Sequence, residues 1–231
     1  MFSQPIQLAM FDMAGTTVND EVDGHPLMVI SMMRAFAKHG IALSSDAINQ
    51  HRGKQKLEAI QTLLCEVAEL PPADAEHIGD SVYRDFLHEL ESNLASISEI
   101  DGATEVFRYL KSRDIYVGVG SGFPMGVVQT IISRLGWLDE GLLDYVGSAE
   151  QVGVGRPNPK MIHDAMEQLN ITDGRKIVKI GDTVVDVQEG KNAGAWTVAV
   201  LTGSQTETQL MAAAPDYILS SIRELTTLIP R

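Results

Sequence analysis

The stretch Ile6-Gln-Leu-Ala-Met-Phe-Asp12-Met-Ala-Gly-Thr-Thr17 joins a short apolar run to an aspartate and a Gly-Thr-Thr turn. A short run bounded in this way reads as a buried strand, and its lack of polar alternation suits a parallel sheet covered on both faces. Comparable runs recur at 115–121, 145–149, 176–182, 197–201 and 217–219. Amphipathic patterns at 104–113, 124–135, 160–169 and 185–193 separate them. Strands alternating with helices predict an α/β fold, a Rossmann-like doubly wound parallel sheet.

One region departs from the alternation. From about residue 21 to 96 the sequence shows no strand pattern, only helical periodicity. Leu27, Ile30, Met33 and Ala37 share one face, Leu57, Ile60, Leu64 and Val67 another, and a further helix follows Pro71-Pro72 over 73–94. The predicted organisation is an α/β core over 1–20 and 97–231 with a helical cap inserted at 21–96. The cap is expected to close over the sheet to exclude water, on hinges near 19–24 and 98–102.

Composition narrows the function. The 231 residues carry a formal net charge of −13, which favours solubility and argues against a role resting on long-range attraction to nucleic acid or anionic lipid. An anionic substrate would have to be caught by local cations. The single cysteine, Cys65, excludes an intramolecular disulfide and a multi-cysteine zinc site. With no signal-peptide pattern at the start and no apolar run near the roughly 20 residues of a membrane span, a reducing cytoplasm is the expected home.

Ligands of an open parallel sheet bind beyond the carboxyl ends of its strands. Those ends are Asp12, then Ser121-Gly122, then Gly181-Asp182-Thr183 with Asp186 one turn later. A single aspartate after a strand commonly caps a turn or a helix. Three converging carboxylates would repel one another, so a bound cation is the more economical reading. With no histidine or thiol among them, a hard oxygen-ligated divalent ion, magnesium, is expected.

The succession Asp12-x-Ala-Gly-Thr-Thr, Ser121, Arg156-Pro157-Asn158-Pro159 and Gly181-Asp182-Thr183-x-x-Asp186 resembles the four motifs of the haloacid dehalogenase superfamily. The variants at Ala14 and Arg156, and the run Glu-Gly-Lys-Asn-Ala-Gly-Ala-Trp-Thr-Val at 189–198, are similar to its phosphonoacetaldehyde hydrolase, or phosphonatase, branch. The resemblance implies that Asp12 is the nucleophile and forms an aspartyl-phosphate. It implies magnesium held by Asp12, Asp182 and the carbonyl of Ala14, with Asp186 close by. Thr16, Ser121, Gly122 and Arg156 would bind the phosphoryl oxygens, the guanidinium with two donors at once.

Most phosphatases of the superfamily carry a second aspartate two residues after the nucleophile as general acid and base, and Ala14 stands there. In phosphonatase the leaving group is instead an enamine carbon made by a lysine Schiff base. Lys56, three residues after Gly53, has the spacing of that lysine, with Lys54 as a rival two residues away. The pattern also departs from the branch: His51-Arg52 stands where Pro-Met is usual, and Ala59 where a histidine is. Arg52 could receive a second anionic group on the substrate or could belong to a surface ion pair.

Other residues point less far. Six histidines lack metal-ligand spacing, Trp137 and Trp196 suit packing, and Cys65 suits a small apolar site in a cap helix. The glycines of Val117-Gly-Val-Gly-Ser-Gly miss the dinucleotide spacing. The expected activity is hydrolysis of a small 2-oxoalkylphosphonate, with a small-metabolite phosphomonoesterase as the alternative and a non-catalytic phospho-ligand sensor as a third class. The expected partners are a small substrate and, from the apolar cap helices, a second copy of the chain in a homodimer.

Overall fold

All five residues of Leu8–Asp12 (β1) are buried, as an apolar run requires when helices cover both faces of a sheet. The computed structural model describes residues 2, 4–51 and 55–229. After β1 come Val18–Asn19 (β2), Glu21–Val22 (β3) and His25–Pro26 (β4), then the helices Leu27–Lys38 (α1), Ser45–Gln50 (α2), Lys56–Val67 (α3) and Pro72–Asn93 (α4). Ser98–Glu99 (β5), Ala103–Lys111 (α5), Tyr116–Ser121 (β6), Met125–Arg134 (α6), Tyr145–Ser148 (β7) and Ala149–Val152 (α7) follow. The chain ends through Lys160–Gln168 (α8), Ile177–Gly181 (β8), Val184–Asn192 (α9), Trp196–Val200 (β9), Glu207–Ala212 (α10), Tyr217–Leu219 (β10) and Leu225–Leu228 (α11). It divides into two compact units, Met1–Asn19 with Ser98–Arg231, and Asp20–Ile97.

The first unit is a parallel six-stranded sheet of order β10-β9-β8-β1-β6-β7 flanked by helices, a Rossmann-like fold. Strand β1 lies at its centre, with β6 on one side and β8 on the other. The strand order reverses direction there, which opens a crevice at the strands' carboxyl ends. The glycines of β6 serve packing. A Cβ on Gly118 would lie 2.9 Å from Met10 Sδ, and one on Gly120 2.5 Å from Met161 Sδ. Trp137 is fully buried, meets Phe107 edge-on at 5.0 Å, and Phe107 meets Phe11 of β1 at 5.1 Å. Its indole N–H donates to Thr104 Oγ1 at 2.9 Å, so the polar end of the ring is satisfied inside the core.

The second unit is mainly helical, but its opening departs from the sequence expectation. β3 and β4 form a two-residue antiparallel hairpin. Asp23 and Gly24 between them both have positive φ, 50° and 76°, as a type I′ turn requires, and the Asp-Gly pair is the usual signal for it. The buried helix faces are also rotated from the predicted ones. In α1 they are Leu27, Val29, Ser31, Met32, Ala35 and Phe36, whereas Ile30 and Met33 are half-buried and Ala37 is exposed. In α3, Lys56, Ala59, Ile60, Leu63 and Leu64 are buried, while Leu57 is half-buried and Val67 exposed. Residues 52–54, which include the predicted Arg52 and Lys54, lie outside the described residues. Among the described residues no helix is long and apolar enough to cross a membrane.

Helix α4 is tied to α1 by polar contacts as well as apolar ones. Lys38 Nζ lies 2.8 Å from Glu89 Oε1, and His39 Nε2 2.9 Å from Asp85 Oδ2. The hydrogen bond with His39 holds the Asp85 carboxyl below its usual range. A group depressed in the folded state stabilises it above the unfolded pKa, and that contribution is lost as pH falls through the folded value. Asp85→Asn should therefore lower the melting midpoint by about 1–3 °C near neutral pH, the scale of a partly exposed pair, and by nothing measurable once pH is below the folded pKa. In the sheet unit, Trp137→Ala should lose about 3–5 kcal/mol of unfolding free energy, read from denaturant titration.

Candidate active site

The loop after β1 is built to hold Asp12 still. The Met13 carbonyl accepts three backbone N–H groups, from Thr16 at 3.1 Å, Thr17 at 2.9 Å and Val18 at 2.8 Å. Thr17 Oγ1 donates to the Asp12 carbonyl at 3.0 Å, and the Met13 side chain is fully buried. Gly15 is needed here twice over. Its φ is +80°, and a Cβ would lie 2.8 Å from Asp182 Oδ2 and 2.9 Å from Gly203 Cα. Ala14 contributes only a methyl group beyond its backbone, so position 14 offers no side-chain acid.

Three carboxylates converge at the strand ends. Asp12, Asp182 and Asp186 are 4%, 2% and 1% exposed, and one carboxylate oxygen from each lies within 4.8 Å of the other two. Thr16 Oγ1 donates to Asp182 Oδ1 at 3.3 Å. Asp186 is the third residue of α9 and completes a capping box with Thr183, whose hydroxyl donates to Asp186 Oδ2 at 2.5 Å. Arg156 reaches in from the segment before α8. Its Nη1 lies 2.5 Å from Asp12 Oδ1 and 2.6 Å from Asp186 Oδ1.

Ser121 ends β6 beside β1, one residue beyond the pairing of Asp12 with Gly120. It is buried, and its hydroxyl accepts the Phe123 N–H at 3.0 Å, which leaves half-buried Gly122 in the turn between them. Lys56, the predicted amine, opens α3 in the helical unit and is buried at 8% exposure.

Several site residues escaped the sequence reading. Lys179, inside β8, is 1% exposed, with Nζ 3.2 Å from Asp186 Oδ1 and 3.0 Å from Glu189 Oε2. Glu189 is fully buried on α9. The available signal was a lone lysine in the otherwise apolar Ile177-Val-Lys-Ile-Gly181. The loop after β9 also serves the site: Ser204 donates to Asp182 Oδ2 from its N–H at 2.9 Å and its hydroxyl at 3.2 Å. From the same loop Thr202 Oγ1 donates to the Gly15 carbonyl at 2.8 Å, and Gln205 Oε1 accepts the Val184 N–H at 2.6 Å. Thr-Gly-Ser after a strand was the signal for that loop.

The electrostatics follow from burial. Removal from water pushes the Asp12 carboxyl above its usual range, against the pull of Arg156. Burial pushes Asp186 the same way, but Arg156, Lys179 and the Thr183 hydroxyl outweigh it and leave that carboxyl below its usual range. For Lys179, burial opposes the ammonium, yet Glu189 and Asp186 hold its pKa above the ordinary lysine value. Among the described residues, Arg156 lies against Asp12 and Asp186, and Lys179 against Asp186 and Glu189. The donors are oxygens without histidine or thiol, so this buried cluster could hold a hard divalent ion.

Comparison with known proteins gives the same chemistry a lineage. The family model described as "haloacid dehalogenase-like hydrolase" matches residues 6–194. The phosphonoacetaldehyde hydrolase of Latilactobacillus sakei subsp. sakei is 30% identical over 98% of this chain and 96% of its own length. That of Bacillus cytotoxicus is 32% identical over 86% of this chain and 77% of its own length. A solved phosphonoacetaldehyde hydrolase-like protein from Oleispira antarctica superposes with a TM-score of 0.83 at 22% identity, covering 99% of this chain and 93% of that one. A predicted phosphoglycolate phosphatase from Haemophilus somnus 129PT gives 0.81 at 19% identity over 99% and 100%; at these identities the structures share the fold. A sheet of this order, a buried carboxylate cluster at its switch point and a match over most of the chain agree: the protein belongs to the haloacid dehalogenase-like hydrolases.

Proposed function

We propose that this hydrolase cleaves the carbon–phosphorus bond of a small 2-oxoalkylphosphonate, phosphonoacetaldehyde or a close relative. The observation that carries the reading is Ala14, two residues beyond Asp12. A phosphate ester needs an acid to protonate its leaving alkoxide, and this position cannot supply one. A carbon leaving group needs an electron sink instead. Buried Lys56 is the candidate for it, and two relatives over most of the chain are named phosphonoacetaldehyde hydrolase.

In this mechanism the Lys56 amine condenses with the substrate carbonyl, releasing water and forming an iminium. An Asp12 carboxylate oxygen then attacks phosphorus. The carbon–phosphorus bond breaks, its electron pair passes into the iminium to give an enamine, and Asp12 carries the phosphoryl group. Thr16, Ser121, Gly122 and Arg156 are assigned to the phosphoryl oxygens, Arg156 through charge-assisted hydrogen bonds. Water then cleaves the acyl-phosphate. Protonation of the enamine carbon and hydrolysis of the imine return aldehyde and free Lys56. Asp12, Asp182, the Ala14 carbonyl and Asp186 are the residues that would hold magnesium, whose chemistry is to neutralise charge between carboxylate and phosphoryl group. In a carboxylated relative of phosphonoacetaldehyde, Arg52 would receive the second anionic group, its alternative being a surface ion pair.

Borohydride added with phosphonoacetaldehyde and magnesium should inactivate the enzyme and leave a reduced adduct on Lys56 by peptide mapping. Label on Lys54 would move the amine two residues. Phosphate release from simple esters with no adduct would favour a phosphomonoesterase, and neither activity would leave a phospho-ligand sensor. Asp12→Asn should lower kcat by at least about 10³-fold, the scale of losing a covalent nucleophile. EDTA should abolish turnover and excess Mg²⁺ restore it; unchanged turnover after chelation would sink the metal-dependent reading.

A further inference from the structure

Lys179 and Glu189 have no part in the chemistry above, yet they are among the most deeply buried charges in the protein, at 1% and 0% exposure. Lys179 pairs in register with Met10 of β1 and Thr197 of β9, in the middle of the sheet. Its amine lies 3.0 Å from Glu189 Oε2 and 3.2 Å from Asp186 Oδ1. Those two carboxylates stand three residues apart on α9 and so share a face of the helix. Among the described residues, neither Nζ nor either Glu189 oxygen makes a contact with hydrogen-bond geometry. Gly190 allows this close seating. A Cβ there would lie 2.9 Å from Lys179 Cβ and 2.7 Å from Thr197 Cγ2.

A pair of this kind is a poor stabiliser. Desolvating two ions is expensive, and replacing a buried pair by apolar residues of similar size is often neutral or stabilising. Stability therefore gives no reason for its presence, and Asp186 supplies one. That carboxylate accepts the Thr183 N–H and hydroxyl on Oδ2 and meets Arg156 and Lys179 on Oδ1. Lys179 alone would place an extra positive charge beside the carboxylate cluster and oppose a divalent cation. Glu189 cancels that charge while holding the amine in place.

We propose that Lys179 and Glu189 are positioning residues for the cation-binding carboxylates, a net-neutral clamp that fixes Asp186 without adding positive charge beside the cluster. The inference rests on the divalent-cation reading of Asp12, Asp182 and Asp186.

The test is calorimetric titration of Mg²⁺ into wild type, Glu189→Gln and the neutral pair Lys179→Met/Glu189→Met, below their melting temperatures. Wild type should bind saturably. Glu189→Gln, which strands the ammonium, should raise Kd at least tenfold. The double variant should melt within a few degrees of wild type and still bind at least tenfold more weakly, because Asp186 has lost its clamp. If Glu189→Gln does not fold, the double variant carries the test alone. A Kd within threefold of wild type in a folded variant would overturn the clamp and leave the metal site standing. No saturable binding by wild type would overturn the metal site and the clamp together.

Discussion

Carboxylates buried side by side repel one another, and the sheet unit is arranged around that fact. Asp12, Asp182 and Asp186 each bring one carboxylate oxygen within 4.8 Å of the other two, almost wholly removed from water. Desolvation raises Asp12, and the nearby carboxylate of Asp186 raises it further. Arg156 bridges Asp12 and Asp186, and Ser204 and Thr16 satisfy Asp182. These contacts relieve the repulsion without removing it, which is the condition for holding a further cation. On the proposed mechanism, a carboxylate attacking an anionic phosphoryl group benefits from the same fixed positive charge.

The fold delivers these groups through strand ends. β1 brings Asp12, β6 brings Ser121, β8 brings Asp182, and the loop after β9 brings Ser204. Side chains delivered by a hydrogen-bonded sheet are placed with little freedom, and Gly15 and Gly203 let the loops close on Asp182. A Cβ on Gly203 would fall 2.0 Å from Asp182 Oδ2. The helix that follows β8 completes the arrangement, since Asp186 is both a member of the cluster and the partner of Thr183 in the capping box of α9.

The sheet was legible because its strands are unbroken apolar runs of parallel type, whose ends then named Asp12, Asp182 and Asp186. The helical segment was legible in kind and only partly in facing, since Leu27, Ile60 and Leu64 are buried as expected. Sequence periodicity ran through Ile30, Met33 and Ala37 of α1, whereas the buried side is that of Ser31, Met32, Ala35 and Phe36, because neighbouring helices rather than period alone decide which stripe is covered. Lys179 and Glu189 were hidden for a physical reason. Charged residues are seldom fully buried without a partner, and the partner ten residues away became visible only once β8 and α9 were packed together. Ser204 was hidden likewise, since its link to Asp182 depends on strand order, not on spacing.

That dependence has a consequence for how the protein comes into being. The Thr16–Asp182 bond joins residues 166 apart in sequence, and the Thr202–Gly15 bond residues 187 apart. A nascent chain released as far as β7 already contains Asp12 and Ser121 but neither Asp182 nor the loop that supports it. Asp12 is still without the groups that surround it in the finished sheet. The carboxylate cluster and its support are thus completed only by β8 and the loop after β9, and an incompletely synthesised chain lacks them.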